Sequence, residues 1–185
     1  MSMPNSVREW TLEDLERLPD DGNKYELVRG ELFVTPAPRQ PHEIVLARLS
    51  RLLDPFVATH GLGLTLHRGV IRVQGSHAEP DLMVRAEPAD VNGKWEDSPT
   101  PVLVIEVVSP TMWRRDHTQK RDFYREIGVD EYWIVDIEDR SVRVVRLNDE
   151  DVVEKEGLVW TPRAGLPPLA ISVTTLMEGM LPEPR

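Results

Sequence analysis

The chain has no cysteine. That excludes disulfides, thiolate zinc sites, iron–sulfur clusters and thiol nucleophiles together, so any bound metal has to sit on oxygen or imidazole. Long apolar runs are absent too. Nothing in the sequence approaches the roughly 18 residues of a membrane span, and Met1 to Trp10 lacks the apolar core of a signal peptide. A soluble, cytoplasmic protein is the expectation. Also missing are G-x-x-x-x-G-K-[ST], G-x-S-x-G and H-E-x-x-H, which removes the commonest phosphate-loop, serine-hydrolase and zincin readings. The five histidines, His42, His60, His67, His77 and His117, show no zinc-ligand spacing. Nor is there an excess of positive charge: a formal net charge of −10 argues against a general nucleic-acid coating protein.

What is present fits one domain spanning residues 1–185, a length that supports a single hydrophobic core. Thr11 to Leu18 reads as a short helix capped by Thr11 and stopped by Pro19. Lys24 to Val28 and Glu31 to Thr35 flank Arg29-Gly30 as a hairpin. From His42 to Val57, apolar residues recur at helical spacing. Leu62 to Leu66, Val70 to Val73 and Asp81 to Val84 are strand candidates, with polar loops at Gly75 to Glu79 and Glu87 to Thr100. Val102 to Val108 is almost wholly β-branched, as a central strand covered on both faces would be. A helix over Trp113 to Ile127, closed by Gly128, leads into a hairpin of Glu131 to Asp136 and Ser141 to Leu147. The tail holds weaker strand signals and one helical turn. From Thr111 to Arg125, five basic residues (Arg114, Arg115, Lys120, Arg121, Arg125) stand against two acids, a segment able either to face a phosphate backbone or to form internal ion pairs.

The chemically suggestive residue is Glu106, a carboxylate inside the most apolar strand. Burying it costs roughly several kcal/mol unless it has a partner, whether an arginine, backbone amides or a cation. Asp81, after Pro80, starts another strand, where an Asp is often just a turn cap. If the two strands are neighbours the carboxylates converge. Two like charges held close would repel, and a cation between them keeps both ionised; Mg²⁺ suits such a site, since it takes one or two carboxylates and leaves room for phosphate oxygens. Period two puts Val104, Glu106 and Val108 on one face, so an E-x-K motif would need lysine at position 108, where the chain has valine. Lys120 is the nearest substitute. It shares a helix face with Asp116 and Tyr124, an arrangement that also suits a plain surface ion pair.

Tyr25-Glu26-Leu27, Pro80-Asp81, Val104-Ile105-Glu106-Val107 with Ser109-Pro110, Asp116 to Lys120 to Tyr124, and Gly128-Val129-Asp130-Glu131-Tyr132-Trp133 resemble, in order and spacing, the Uma-two family of the PD-(D/E)XK nuclease superfamily. The resemblance runs from about Trp10 to about Leu176. It implies an α/β (α+β) fold with a restriction-endonuclease-like core, a mixed central sheet flanked by helices, and an N-terminal helix and hairpin. It also implies a Mg²⁺-dependent (Mn²⁺-tolerant) endonuclease acting on nucleic acid, DNA above all. Asp81 and Glu106 become metal ligands, Val107 lends a backbone carbonyl, and Lys120 replaces the strand lysine. Glu26 matches a glutamate placed near the metal, against the alternative of an exposed strand residue beside Lys24. His42 also falls on a family position, touching substrate or capping its helix. A non-catalytic nucleic-acid-binding or assembly module with the same fold is the competing expectation. A homodimer is open too, because double-strand cleavage needs two sites and the Val142 to Val145 hairpin offers an edge.

Overall fold

The computed structural model describes residues 9–88, 90–108 and 115–180, the side chains of 115–117 excepted. Its centre is a six-stranded mixed sheet in the order β10-β9-β8-β7-β6-β3. The strands are β3 (Leu64–His67), β6 (Leu82–Arg85), β7 (Leu103–Val108), β8 (Glu131–Asp136), β9 (Ser141–Arg146) and β10 (Val152–Glu154). Among them only β7 and β8 pair in parallel, joined through helix α3 (Arg115–Glu126). β7 is buried at every position, as its β-branched run requires, because both faces of the sheet are covered.

Alternation along the strands sorts the core into two layers. Leu82, Val84, Leu103, Ile105, Val107, Trp133 and Val135 point to one face and pack on Val45, Leu49, Leu53 and Val57 of helix α2 (Gln40–Thr59). The same layer takes in a small sheet of β11 (Gly157–Trp160) and β12 (Leu169–Ser172), with helix α4 (Val173–Leu176). Met83, Val104, Val108, Tyr132 and Ile134 point to the other face, against Phe123 and Tyr124 of α3. Above that face lies a four-stranded sheet, β2-β1-β5-β4, built from β1 (Lys24–Val28), β2 (Glu31–Thr35), β4 (Ile71–Val73) and β5 (Ser76–Ala78). α3 ends at Gly128, whose positive φ of 82° lets the Val129 amide return to the Tyr124 carbonyl at 2.9 Å.

Several sequence expectations meet their element: the mixed central sheet, the N-terminal helix α1 (Leu12–Leu15), which has a Thr11–Asp14 capping box but ends at Leu15 rather than running on to Leu18, and the β1–β2 hairpin. The last turns on Arg29 (φ 52°) and Gly30 (φ 78°), the paired left-handed residues of a type I′ connection. Others need correction. The polar stretch read as a loop at Gly75 to Glu79 contains β5, because Gln74 and Gly75 make a second two-residue left-handed turn that folds it back onto β4. The Val142 to Val145 edge is not free. β10 pairs along it, Val142 opposite Glu154, so β9 offers no edge to a second copy. The stretch from Glu87 to Thr100 carries one 3₁₀ turn (Trp95–Asp97), tied down where the buried Arg85 lies 5.1 Å from the Trp95 ring centre and donates to the Val70 carbonyl at 2.6 Å.

Candidate active site

Glu106 sits in mid-β7 on the α3 side of the sheet and is 5 % exposed. Its compensation comes from α3. Lys120 Nζ donates to Glu106 Oε1 at 2.8 Å, and the Tyr124 hydroxyl donates to the same oxygen at 3.1 Å. Four residues apart, Lys120 and Tyr124 share a helix face, and that face points at the sheet rather than at solvent. The side chain of Asp116, third member of the face in the sequence, lies outside the described residues.

Asp81 stands one step beyond the Leu82–Ile105 pair in the β6–β7 register, which brings it opposite Glu106 on the same face. Its Oδ2 accepts the Val107 amide at 2.8 Å and lies 3.1 Å from His42 Nε2. Val107 thus meets Asp81 through its N–H. His42, in the first turn of α2, touches Asp81 and Glu43 and does not cap the helix, whose N-cap is Arg39. Glu26 brings a third carboxylate from β1 and is fully buried, which rules out the exposed strand residue. Its Oε2 accepts from Lys120 at 2.7 Å and its Oε1 from the Glu79 amide at 2.8 Å.

Lys24 is the member that the sequence reading missed. Its ammonium lies 3.2 Å from Asp81 Oδ1, 3.7 Å from Glu26 Oε2 and 3.8 Å from Glu106 Oε2, and it donates to the Glu79 carbonyl at 2.9 Å. The signal was there in part: Lys24 and Glu26 are two apart on a strand, so if one turns inward the other follows. The mutual repulsion expected of Asp81 and Glu106 is therefore met by two lysines of the chain itself. Three carboxylates face two ammoniums, and protonation of His42 would make the cluster neutral.

These contacts drive the two facing carboxylates apart in acidity. Burial pushes the Glu106 carboxyl up, and the attraction of Lys120 and Lys24 does not fully offset it. Burial opposes ionisation of Asp81 as well, but the His42 hydrogen bond, the Lys24 charge and the Val107 amide hold it well below the usual carboxylate range. For Lys120, burial favours the neutral amine, yet Glu106 and Glu26 raise it far above an ordinary lysine. Lys24 is likewise raised, burial being outweighed by Glu106, Glu26 and Asp81. His42 follows the same pattern, with Asp81 prevailing over burial. A pair of carboxylates with opposed shifts is the arrangement that acid–base and metal chemistry uses.

Among the described residues no three His, Asp or Glu side chains form a preassembled metal cage. The donor set nevertheless suits a hard cation. Asp81 Oδ1 and Glu106 Oε2 are the two oxygens that the amide, imidazole, phenol and Lys120 donors leave over, and both turn toward one point. That point is where the Lys24 ammonium sits, so the residues fit Mg²⁺ on the condition that Lys24 yields.

The described basic side chains of the segment, those of Lys120, Arg121 and Arg125, are taken up in internal ion pairs. Lys120 is buried in the cluster, while Arg121 and Arg125 both reach Asp151, at 2.9 and 3.0 Å, and Arg125 also donates to the carbonyls of Arg146 and Asp149. Arg114 and the Arg115 side chain lie outside the described residues.

Comparison with known proteins gives a consistent result. A crystal structure described as a putative nuclease belonging to DUF820, from Anabaena variabilis ATCC 29413, superimposes with a TM-score of 0.76 over 92 % of this chain and 99 % of that one. At 19 % identity this is a likeness of fold. None of the curated proteins matches the sequence. The model of the Uma2 family, described as putative restriction endonuclease, matches residues 12–174. A match over that much of the length, carried by this arrangement of elements, means that the chain belongs to the Uma2 family.

Proposed function

We propose that the chain is an endonuclease of the PD-(D/E)XK type that hydrolyses phosphodiester bonds of DNA with Mg²⁺ or Mn²⁺ held by Asp81 and Glu106. The observation that carries this reading is the pairing of those two carboxylates across β6 and β7, with the Lys120 ammonium 2.8 Å from one of them. When bound, the cation would supply Lewis-acid stabilisation of phosphate oxygens and a more acidic water. The chain's own residues account for the remainder. Lys120 holds a fixed positive charge in a dry site, where it orients water or meets the negative charge that builds on the attacked phosphate. Glu26 positions Lys120 by accepting from it. His42 and the Val107 amide fix the orientation of Asp81, leaving Oδ1 directed inward. In the reaction a water oxygen bonds to phosphorus, the bond from phosphorus to the leaving oxygen breaks, and the proton of water ends on that oxygen.

A second reading, a binding or assembly module without turnover, draws on the cluster being charge-compensated by Lys24 and Lys120 with no cation required. Incubating the protein with supercoiled plasmid, and in parallel with RNA, separates the two. Relaxed and linear plasmid in Mg²⁺ or Mn²⁺, absent in chelator and with Glu106→Gln, supports the nuclease. Intact DNA and RNA under all conditions, with retained binding, supports the module.

A further inference from the structure

Lys24 has no part in the reaction outlined above, yet no group is more central to the acidic cluster. Its ammonium is within 3.8 Å of oxygens from Asp81, Glu26 and Glu106, and two of these are the oxygens that no other donor in the cluster engages. The backbone that carries it is pinned: Lys24 pairs with Thr35 at the first rung of β1–β2. Among the described residues its side chain has one further tie, to the Glu79 carbonyl. Moving the ammonium out breaks these ion pairs and that one bond and asks nothing of the β1–β2 pairing.

A dication and an ammonium cannot share these oxygens without facing each other at close range, where like charges repel strongly. Replacing the ammonium by a dication completes the balance: with His42 neutral, three carboxylates against Lys24 and Lys120 leave one negative charge, and against Lys120 and one dication they sum to zero. We propose that Lys24 is a built-in counter-ion occupying the cation position, and that a divalent cation enters the site only by displacing the Lys24 ammonium. The proposal rests on Asp81 and Glu106 being the ligands. It makes the apo protein a folded state whose carboxylates are held by its own lysines and which stays unloaded until the cation concentration competes with an intramolecular lysine. If the lysine-out conformer is the minor state, at about 1–10 % of molecules, apparent cation affinity is reduced by that fraction.

The test uses Mn²⁺ as the probe and calorimetry as the readout, on wild type, Lys24→Met and Asp81→Asn. Lys24→Met should bind Mn²⁺ roughly 10- to 100-fold more tightly than wild type, and Asp81→Asn should lose binding. A wild-type measurement guards against a misfolded variant: acylation of lysine amines, followed by peptide mass spectrometry, with the exposed Lys94 and Lys155 as internal references. Lys24 should be protected without cation and become reactive at saturating Mn²⁺. Equal affinity in wild type and Lys24→Met, with binding still lost in Asp81→Asn, overturns the counter-ion role and leaves the ligands standing. Unchanged Lys24 reactivity at saturating Mn²⁺ overturns it as well. Binding that survives in Asp81→Asn removes the ligand assignment and the proposal with it.

Discussion

Replacing Lys120 by methionine isolates what the central ion pair contributes. The Lys120 side chain is 7 % exposed and donates two charge-assisted hydrogen bonds, 2.7 Å to Glu26 and 2.8 Å to Glu106. Methionine fills similar volume, so the cavity contribution is small and the loss is electrostatic. Removing one partner of a buried pair costs about 3–5 kcal/mol because the other charge is stranded. Two charged hydrogen bonds at roughly 1.5–3 kcal/mol each give the same order. Near-complete burial leaves little solvent screening to discount. For a chain of this size each kcal/mol shifts the melting temperature by about 2–4 °C, so a fall on the order of 10 °C is expected. Urea unfolding, followed by the fluorescence of the buried Trp133 and Trp160, gives the free energy directly. Adding Glu106→Gln to Lys120→Met should recover part of the loss, a non-additivity of about 0.5–3 kcal/mol. A Lys120→Met protein as stable as wild type, or a double variant whose losses simply add, would refute the reasoning.

At permissive temperature, Lys120→Met should lower the rate of phosphodiester cleavage by orders of magnitude while calorimetry still finds the cation, and Lys120→Arg should not restore the rate, since a planar guanidinium does not fit the space of a compact ammonium. Mg²⁺ or Mn²⁺ should raise the melting temperature of wild type and not that of Asp81→Asn; equal shifts would put the ion elsewhere. Gly63→Ala should cost about 2 kcal/mol or more in a urea titration, because a Cβ there collides with the Arg85 carbonyl and the residue needs a φ of +105°. Glu131 is buried, and despite the Trp133 and Arg146 contacts its carboxyl is pushed up. The folded state therefore holds that proton more tightly than the unfolded chain does, so wild-type stability falls as pH rises from the unfolded value of about 4.3 through the raised folded one. Glu131→Gln should flatten that fall, and parallel stability–pH curves for the two proteins would argue against it.

The strands were legible because local pattern decides them, while the mixed sheet followed from the resemblance to the family. Val102 to Val108 carries the β-branched run of a doubly covered strand, and Arg29-Gly30 is a hairpin-turn signal. Glu106 and Asp81 stood out for the same reason, as charges set into or against apolar strands. What the sequence hid was partnership at long range. Lys24 meets Asp81 across 57 positions, and Arg125 meets Asp151 across 26, and no periodicity encodes either. Two repelling anions taken alone would gain stability from the loss of either, whereas here the two lysines make each carboxylate a partner whose loss strands a buried ammonium. β5 was missed because Gln-Gly is a less obvious turn pair than Asn-Gly, and its three residues are too few to show alternation.

The central claim, that Asp81 and Glu106 together hold the cation on which cleavage depends, is tested most directly by anomalous diffraction from crystals soaked in Mn²⁺. The account predicts one strong peak bonded to Asp81 and Glu106, with the Lys24 ammonium moved away from both. A saturating soak that leaves Lys24 in place with no peak between the two carboxylates, or that puts the ion at other residues, would contradict it.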